Sequence, residues 1–204
     1  LVTHSRHHLF TIDCENGEVF SSYNLTGYEW DGEHCNSPIY DNGNIYFIGN
    51  DEKGSGAVKL ELSSDGESIK EVWSNKKIRN NFNGYIKVEN KLFTTIKGNW
   101  LKALDDANGK ASDSVKVATG SLIYADNKFI CYGMNGEVNL IHYKQNKFDV
   151  TGTFKIKQDI VNKKIMVFLL IFGVANYFSV AHFSETHLNK LNCIQTSKST
   201  KIFI

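Results

Sequence analysis

Short apolar runs alternate with polar turn residues along the first 156 positions of the chain. Many of these runs show the two-residue alternation of a half-buried β-strand. No helical period of 3.6 residues continues for three turns before residue 157. The pattern therefore predicts antiparallel hairpins, and it disfavours a parallel fold in which strands and helices alternate.

A turn motif of the form apolar-Asp-x-x-Asn-Gly-charged occurs twice, at Ile12–Glu18 and at Leu104–Lys110. Asn-Gly between apolar runs is a strong hairpin signal, because both central residues of a type I′ turn need a positive φ. Each copy therefore predicts a strand, a tight turn and a second strand.

A second hairpin pattern interleaves with the first, at residues 37–47, 85–94 and 122–131. The equivalent apolar positions of this hairpin are Ile45, Leu92 and Phe129, which are 47 and 37 residues apart. Those of the other hairpin are 49, 43 and 37 residues apart: Leu9, Val58, Leu101 and Val138. A unit of roughly 40–50 residues with four strands is the size of a propeller blade. An immunoglobulin-like sandwich is the alternative, but the duplicated turn motif favours an all-β partial propeller of about three to four four-stranded antiparallel blades.

The turn motif also carries a family resemblance. Each copy follows a leucine, Leu9 or Leu101, and so resembles the L-x-A-L-D-x-x-T-G-K signature of the pyrroloquinoline-quinone (PQQ) type of repeat. Further similarity lies at residues 33–40, 54–60, 71–73 and 98–101. Over about residues 1–156 the chain is thus similar to the PQQ-binding-like β-propeller repeat proteins. That superfamily includes the quinoprotein alcohol dehydrogenases and the outer-membrane assembly lipoprotein.

The resemblance implies a larger propeller around a central channel, in a periplasmic or otherwise exported protein. The chain starts at Leu1 rather than at a methionine, and Leu1–His8 lacks the apolar stretch of a signal peptide. We therefore expect a piece of a longer propeller that begins inside a blade, at its third strand.

Charge and cysteine content narrow the function. The 23 basic and 22 acidic residues nearly balance, so we expect no nucleic-acid partner. Four cysteines without a C-x-x-C pair argue against a zinc knuckle. The first hypothesis is a non-enzymatic binding or scaffold segment that presents blade-end loops to a protein or glycan partner, without a cofactor. The alternative, implied by the resemblance, is a fragment of a dehydrogenase that oxidises alcohols or sugars with PQQ and calcium.

The alternative finds little support in individual residues. The calcium ligands of that enzyme class match no positions here, and its vicinal cysteine pair is missing. Quinones lie flat on an indole in such enzymes, but Trp30, Trp73 and Trp100 are better explained as packing residues. Trp73 in particular is expected between adjacent blades.

Four polar residues near the start of successive blades are the candidate ligand-binding set: His34, Asn36, Asn83 and Ser121. Because each precedes the first hairpin of its blade, equivalent placement would bring them together toward the channel. His34 follows the carboxylates Asp31 and Glu33 and precedes Asn36, which suits a metal or a general base, but a loop histidine with local hydrogen bonds is the favoured explanation. No catalytic or metal-binding residue is predicted.

Residues 157–204 differ from the rest of the chain. They hold one of the 16 glycines, and their net charge is +4 against −3 for residues 1–156. An apolar run, Ile165–Ala175, is too short to span a bilayer by itself. Three interpretations stay open for this tail: a lost reading frame, a degenerate blade, or a membrane-proximal segment. The predicted domain boundary lies between residues 156 and 157.

Overall fold

The computed structural model describes residues 1–25, 34–50, 56–80 and 82–156, together with the backbone of 170–174 and 177–181. All regular elements in these ranges are β-strands, and the named strands pair antiparallel. The first sheet contains β1 (Val2–His4), β2 (His8–Ile12) and β3 (Val19–Asn24). The second contains β4 (Ile39–Asp41), β5 (Asn44–Ile48), β6 (Ala57–Leu62) and β7 (Ile69–Asn75).

Two further four-stranded sheets and one hairpin follow. The third sheet contains β8 (Tyr85–Val88), β9 (Lys91–Ile96), β10 (Trp100–Asp105) and β11 (Ala111–Lys116). The fourth contains β12 (Gly120–Ala125), β13 (Lys128–Gly133), β14 (Glu137–Lys144) and β15 (Lys147–Lys155). The hairpin pairs β16 (Leu170–Val174) with β17 (Tyr177–Ala181).

Each four-stranded sheet is a meander whose strands lie side by side in chain order. Successive sheets pack with like strands adjacent: β12 contacts β8 and β9, whereas β11 contacts β15 and β3 contacts β7. First strands therefore lie near first strands, and last strands near last strands, as in consecutive propeller blades. The fourth strands are largely exposed, and the second and third strands are the most buried.

The second strand of each blade supplies apolar side chains to both of its faces, because successive strand residues point to opposite sides of a sheet. Ile45 joins the core shared with the first sheet, and its neighbour Tyr46 joins the core shared with the third sheet. Leu92 and Phe93 repeat this division one blade later. A continuous run of apolar residues in these strands thus reflects burial on both faces.

The predicted landmarks hold, with one correction. Ile45, Leu92 and Phe129 all lie one position after the first residue of their strands, in the same register with the preceding strand. In the third strands, however, the pairing makes Ala57 rather than Val58 equivalent to Leu101 and Val138. The residues of the first sheet also differ from expectation. They start with a second strand, β1, rather than with a third.

The predicted strand, turn and strand are present at both Asp-x-x-Asn-Gly motifs, but the turns are not of type I′. Only the glycine of each copy has a positive φ, +79° at Gly17 and +66° at Gly109. The carboxylate of Asp105 instead accepts a hydrogen bond from the amide of Ala107, 2.9 Å away, and the loop closes from the Gly109 amide to the Asp105 carbonyl. The aspartate thus builds a longer loop, and the adjoining strands carry a β-bulge.

Turns with two consecutive residues at positive φ occur at other places. Asn42-Gly43, Asp126-Asn127 and Gln145-Asn146 have φ values between 48° and 76°. They join the first and second strands of two blades, and the third and fourth strands of the last four-stranded sheet. Two-residue turns at these sites fix the register of the hairpins on either side.

Candidate functional site

The structure assigns two of the four predicted ligand-binding residues to a buried amide network between the second and third sheets. The Asn36 amide nitrogen donates to the carbonyl oxygens of Ile48, at 2.9 Å, and Asn80, at 3.2 Å. Its amide oxygen accepts from the Gly84 backbone, at 3.1 Å. The Asn83 backbone amide donates to the Asn80 side chain at 2.9 Å. Asn36 and Asn83 therefore lie in one network, and they occupy equivalent register positions just before β4 and β8.

His34 lies apart from that network, in an aromatic contact. Its ring meets Phe47 edge-on, with 5.5 Å between ring centroids, and His4 lies 6.1 Å away. No pattern in the sequence predicted this pairing, because His4 lies in β1 and His34 lies in the link that precedes β4. The contact also explains Gly49, since a Cβ at that position would come within 2.9 Å of the His34 ring.

Ser121 does not share the position of Asn36 and Asn83. It is exposed within β12 and pairs with Tyr132. Counted from the hairpin turn, Ser121 is equivalent to Gly84, and Gly120 is equivalent to Asn83. A role in ligand binding for the four residues remains a prediction.

All four residues lie at the end of the blades where links enter the first strands, which we call the link end. The opposite end carries the turns that join first to second strands and third to fourth strands, and we call it the turn end. Along the described residues, a cleft of about 460 Å³ opens at the turn end, between the third and fourth sheets. This volume falls within the range of ligand-binding pockets.

Four aromatic rings form the floor of this turn-end cleft. Phe93 and Phe129 are buried and lie 4.4 Å apart between ring centroids. Tyr124 packs on Phe129 at 4.7 Å, and Tyr143 meets Phe93 edge-on at 4.9 Å. Phe93 and Phe129 are already buried, so the half-buried rings of Tyr124 and Tyr143 supply the exposed part of the floor. Their contacts with the phenylalanines limit the side-chain freedom that they would lose when covered.

The rim of the cleft consists of amide and charged side chains from three turns: Glu89, Asn90, Asn127, Lys144, Gln145 and Asn146. Asn127 accepts a hydrogen bond from the Tyr124 hydroxyl at 3.3 Å. Burial, with a further contribution from the Glu89 charge, raises the pKa of Tyr124, so its hydroxyl stays protonated and able to donate at neutral pH. The rim therefore offers donors and acceptors around an apolar floor.

An ion pair lies beneath the same cleft. The Lys91 ammonium contacts the Asp105 carboxylate at 2.9 Å, and this hydrogen bond, with one from the Ala107 amide, lowers the pKa of Asp105. Lys91 is itself nearly buried. Its charge is thus neutralised within the protein and is not available to a ligand.

The second Asp-x-x-Asn-Gly loop contacts the neighbouring blade. The Trp73 indole nitrogen donates to the Asp106 carbonyl at 2.8 Å, and the Asn75 amide donates to the Gly109 carbonyl at 2.8 Å. Lys59 pairs with the Asp106 carboxylate at 3.2 Å. Trp73 therefore packs between adjacent blades, as predicted. Trp100 lies against the Lys116 ammonium, 4.5 Å from the ring centroid.

Other features bear on catalysis and membrane contact. Within the described ranges, no three His, Cys, Asp or Glu side chains are grouped so that they could hold a metal ion. Cys14, Cys35 and Cys131 are free thiols. Burial and the Glu137 charge raise the pKa of Cys131 to about 12. None of the described residues forms a helix long and apolar enough to cross a membrane.

Comparison with known proteins identifies the fold. No family model matches the sequence. No curated protein matches it either. Among solved structures, the crystal structure of BamB from Moraxella catarrhalis matches with a TM-score of 0.60 and 12% identity. The match covers 89% of this chain and 55% of the BamB chain, so the chain spans about half the length of that protein. The likeness confirms the prediction of an all-β, partial β-propeller fold.

Proposed function

We propose that the chain is a non-enzymatic β-propeller binding segment, and that it holds a segment of a protein partner in the turn-end cleft. The observation that carries the proposal is the lining of the cleft, in which fixed aromatic rings are surrounded by amide side chains. The propeller fold is in keeping with a scaffold that presents loops, although fold alone does not give function.

The composition of the cleft favours a peptide over other ligands. Aromatic residues are enriched at the centres of protein interfaces, where rings fill pockets, and polar groups surround them. Amides such as Asn127 and Asn146 can each donate to and accept from a peptide backbone. The charged rim residues Glu89 and Lys144 have opposite signs, which suits partner side chains of both charges. A glycan, the other predicted partner, stacks on aromatic rings as well, and the experiment below distinguishes the two.

No observation favours the alternative function, a PQQ- and calcium-dependent dehydrogenase. Trp73 cannot serve as an open platform, because it is buried between blades and Gly109 packs on its ring. The described residues hold no group of three His, Cys, Asp or Glu side chains that could bind a metal ion. We also propose an exported location, on the basis of the fold resemblance alone.

The test is binding of the labelled full chain to a peptide array and to a glycan array. The cleft variant is Asn127→Gly/Asn146→Gly. Both residues have a φ near +60°, so glycine preserves the turns. The variant removes the two amides and, with them, the hydrogen bond from the Tyr124 hydroxyl to Asn127. The control is Asn42→Gly, the same change at a positive-φ turn of another blade, outside the cleft.

We expect selected peptides to bind the wild type and the control and to lose at least tenfold in affinity with the cleft variant. Selective binding of glycans that is lost in the cleft variant would show that the cleft is the binding site but that its partner is a glycan and not a peptide. Binding that is equal in all three proteins would refute the site.

A further inference from the structure

We infer that residues 170–181 are the first hairpin of another blade, and that this hairpin packs on the outer face of the β12–β15 sheet. The inference goes beyond the proposed function and does not depend on it. It assigns part of the tail to the degenerate-blade interpretation. Two independent observations carry it, the register of the hairpin and the apolar face that it would cover.

The register of β16 and β17 is that of the first hairpin in each of the three four-stranded sheets. Val174 pairs with Tyr177, so two residues of sequence separate the last paired residue of β16 from the first of β17. The turns at 42–43, 89–90 and 126–127 are of the same length, and two of them have asparagine as second residue, as the sequence has at Asn176. Position 178 thus corresponds to Ile45, Leu92 and Phe129, and it is again an apolar residue, Phe178.

The spacing agrees with the same assignment. Phe178 follows Phe129 by 49 residues, whereas the two earlier steps are 47 and 37 residues. The link before the hairpin also has a precedent, since 14 residues separate Lys155 from Leu170 and 14 separate Asn24 from Ile39. No Asn-Gly marks this turn, which is why the sequence pattern did not reveal it.

The outer face of the β12–β15 sheet is built to receive a blade. Ile130, Tyr132 and Val138 form an apolar cluster, each with 8% or less of its surface exposed, and Leu140 and Ile156 pack against it. Phe129 and Ile141 point to the opposite face, into the core shared with the third sheet. The cluster of Ile130, Tyr132 and Val138 therefore lies on the same face of its sheet as Tyr46 does in the second sheet.

That equivalence identifies the occupant. Ile130 occupies the register position of Tyr46 and Phe93, and both of those residues contact the blade that follows their own. Position 178 corresponds to residues that contact the blade before their own. The hairpin and the face therefore carry complementary halves of the interface that the preceding blades repeat.

Hydrogen exchange of the full chain, read by mass spectrometry, tests the inference. We expect protected amides at 170–181 in the wild type. Val138→Ala, on the outer face, should speed their exchange about tenfold, with less effect on residues 84–96. The control variant Ile141→Val, on the inner face, should instead speed exchange at residues 84–96 more than at residues 170–181. If Val138→Ala unfolds the whole sheet, as seen by lost protection at 128–133, the milder Ile130→Val replaces it.

Two results would overturn the inference. One is exchange at residues 170–181 that is as fast as in an unstructured peptide, or that is equally slow in the wild type and in Val138→Ala. The other is protection that arises only when phosphatidylcholine–phosphatidylglycerol vesicles are added, which would assign the segment to a membrane surface.

Discussion

The two copies of the Asp-x-x-Asn-Gly loop provide a matched test of how the blades pack. Gly17 and Gly109 end the two copies, and both have a positive φ. A Cβ on Gly17 would meet no atom within 4 Å, whereas a Cβ on Gly109 would lie 2.4 Å from the Trp73 ring. Alanine at each site therefore imposes the same backbone strain, but only Gly109→Ala adds a clash with the neighbouring blade.

The expected magnitudes follow from these two terms. A left-handed conformation costs an alanine roughly 1–2 kcal/mol, and this cost applies to both variants. Overpacking a well-packed contact adds roughly 1–3 kcal/mol at Gly109. The indole cannot easily move aside, because it is buried and its nitrogen is bonded to the Asp106 carbonyl at 2.8 Å. We expect Gly17→Ala to cost about 1–2 kcal/mol and Gly109→Ala about 2–5 kcal/mol.

Urea unfolding, followed by tryptophan fluorescence and circular dichroism, measures the two free energies. A double-mutant cycle with Trp73→Leu isolates the contact. In that background Gly109→Ala should cost no more than Gly17→Ala does in the wild type. Equal costs for the two alanines in the wild type, or an unchanged cost of Gly109→Ala after removal of the indole, would refute the packing argument.

Three further predictions concern other sites. Asp105→Asn should lower stability at pH 7 by about 1 kcal/mol. Because Lys91 lowers the pKa of Asp105, the stabilisation exists above the unfolded pKa, so urea midpoints of variant and wild type should converge as the pH falls below about 4; a constant difference down to pH 2 would contradict this. Asn36→Ala should cost about 1–3 kcal/mol in urea unfolding, since it leaves buried backbone groups unpaired; a neutral effect would show that water replaces the amide. The buried Cys131 should resist iodoacetamide at pH 8 in mass spectrometry while the exposed thiols of Cys14 and Cys35 react; equal labelling of the three would contradict its burial.

The fold could be predicted from the sequence because its repeats are visible in single residues. Ile45, Leu92 and Phe129 recur at blade spacing, and the strands around them are apolar on both faces. What the pattern could not give was the kind of turn. Asn-Gly predicts a type I′ turn, but the carboxylate of Asp105 captures the Ala107 amide and lengthens the loop.

The candidate site was less predictable, for a physical reason. The floor and rim of the turn-end cleft come from residues 88–93, 124–129 and 143–146, which meet only when two sheets pack. The polar residues that stood out in the sequence, Asn36 and Asn83, lie at the link end, where Asn36 bonds to backbone groups. A signal for the cleft did exist, since Asp126-Asn127 and Gln145-Asn146 are turn residues next to aromatic strands.

The most direct test of the account is the dissociation constant of the best array-selected peptide for three proteins, measured by surface plasmon resonance. The account predicts that the wild type and Asn42→Gly bind alike, and that Asn127→Gly/Asn146→Gly binds at least tenfold more weakly with an unchanged urea midpoint. Equal binding by the wild type and the cleft variant, or an equal loss in Asn42→Gly, would contradict the claim that the turn-end cleft holds the partner.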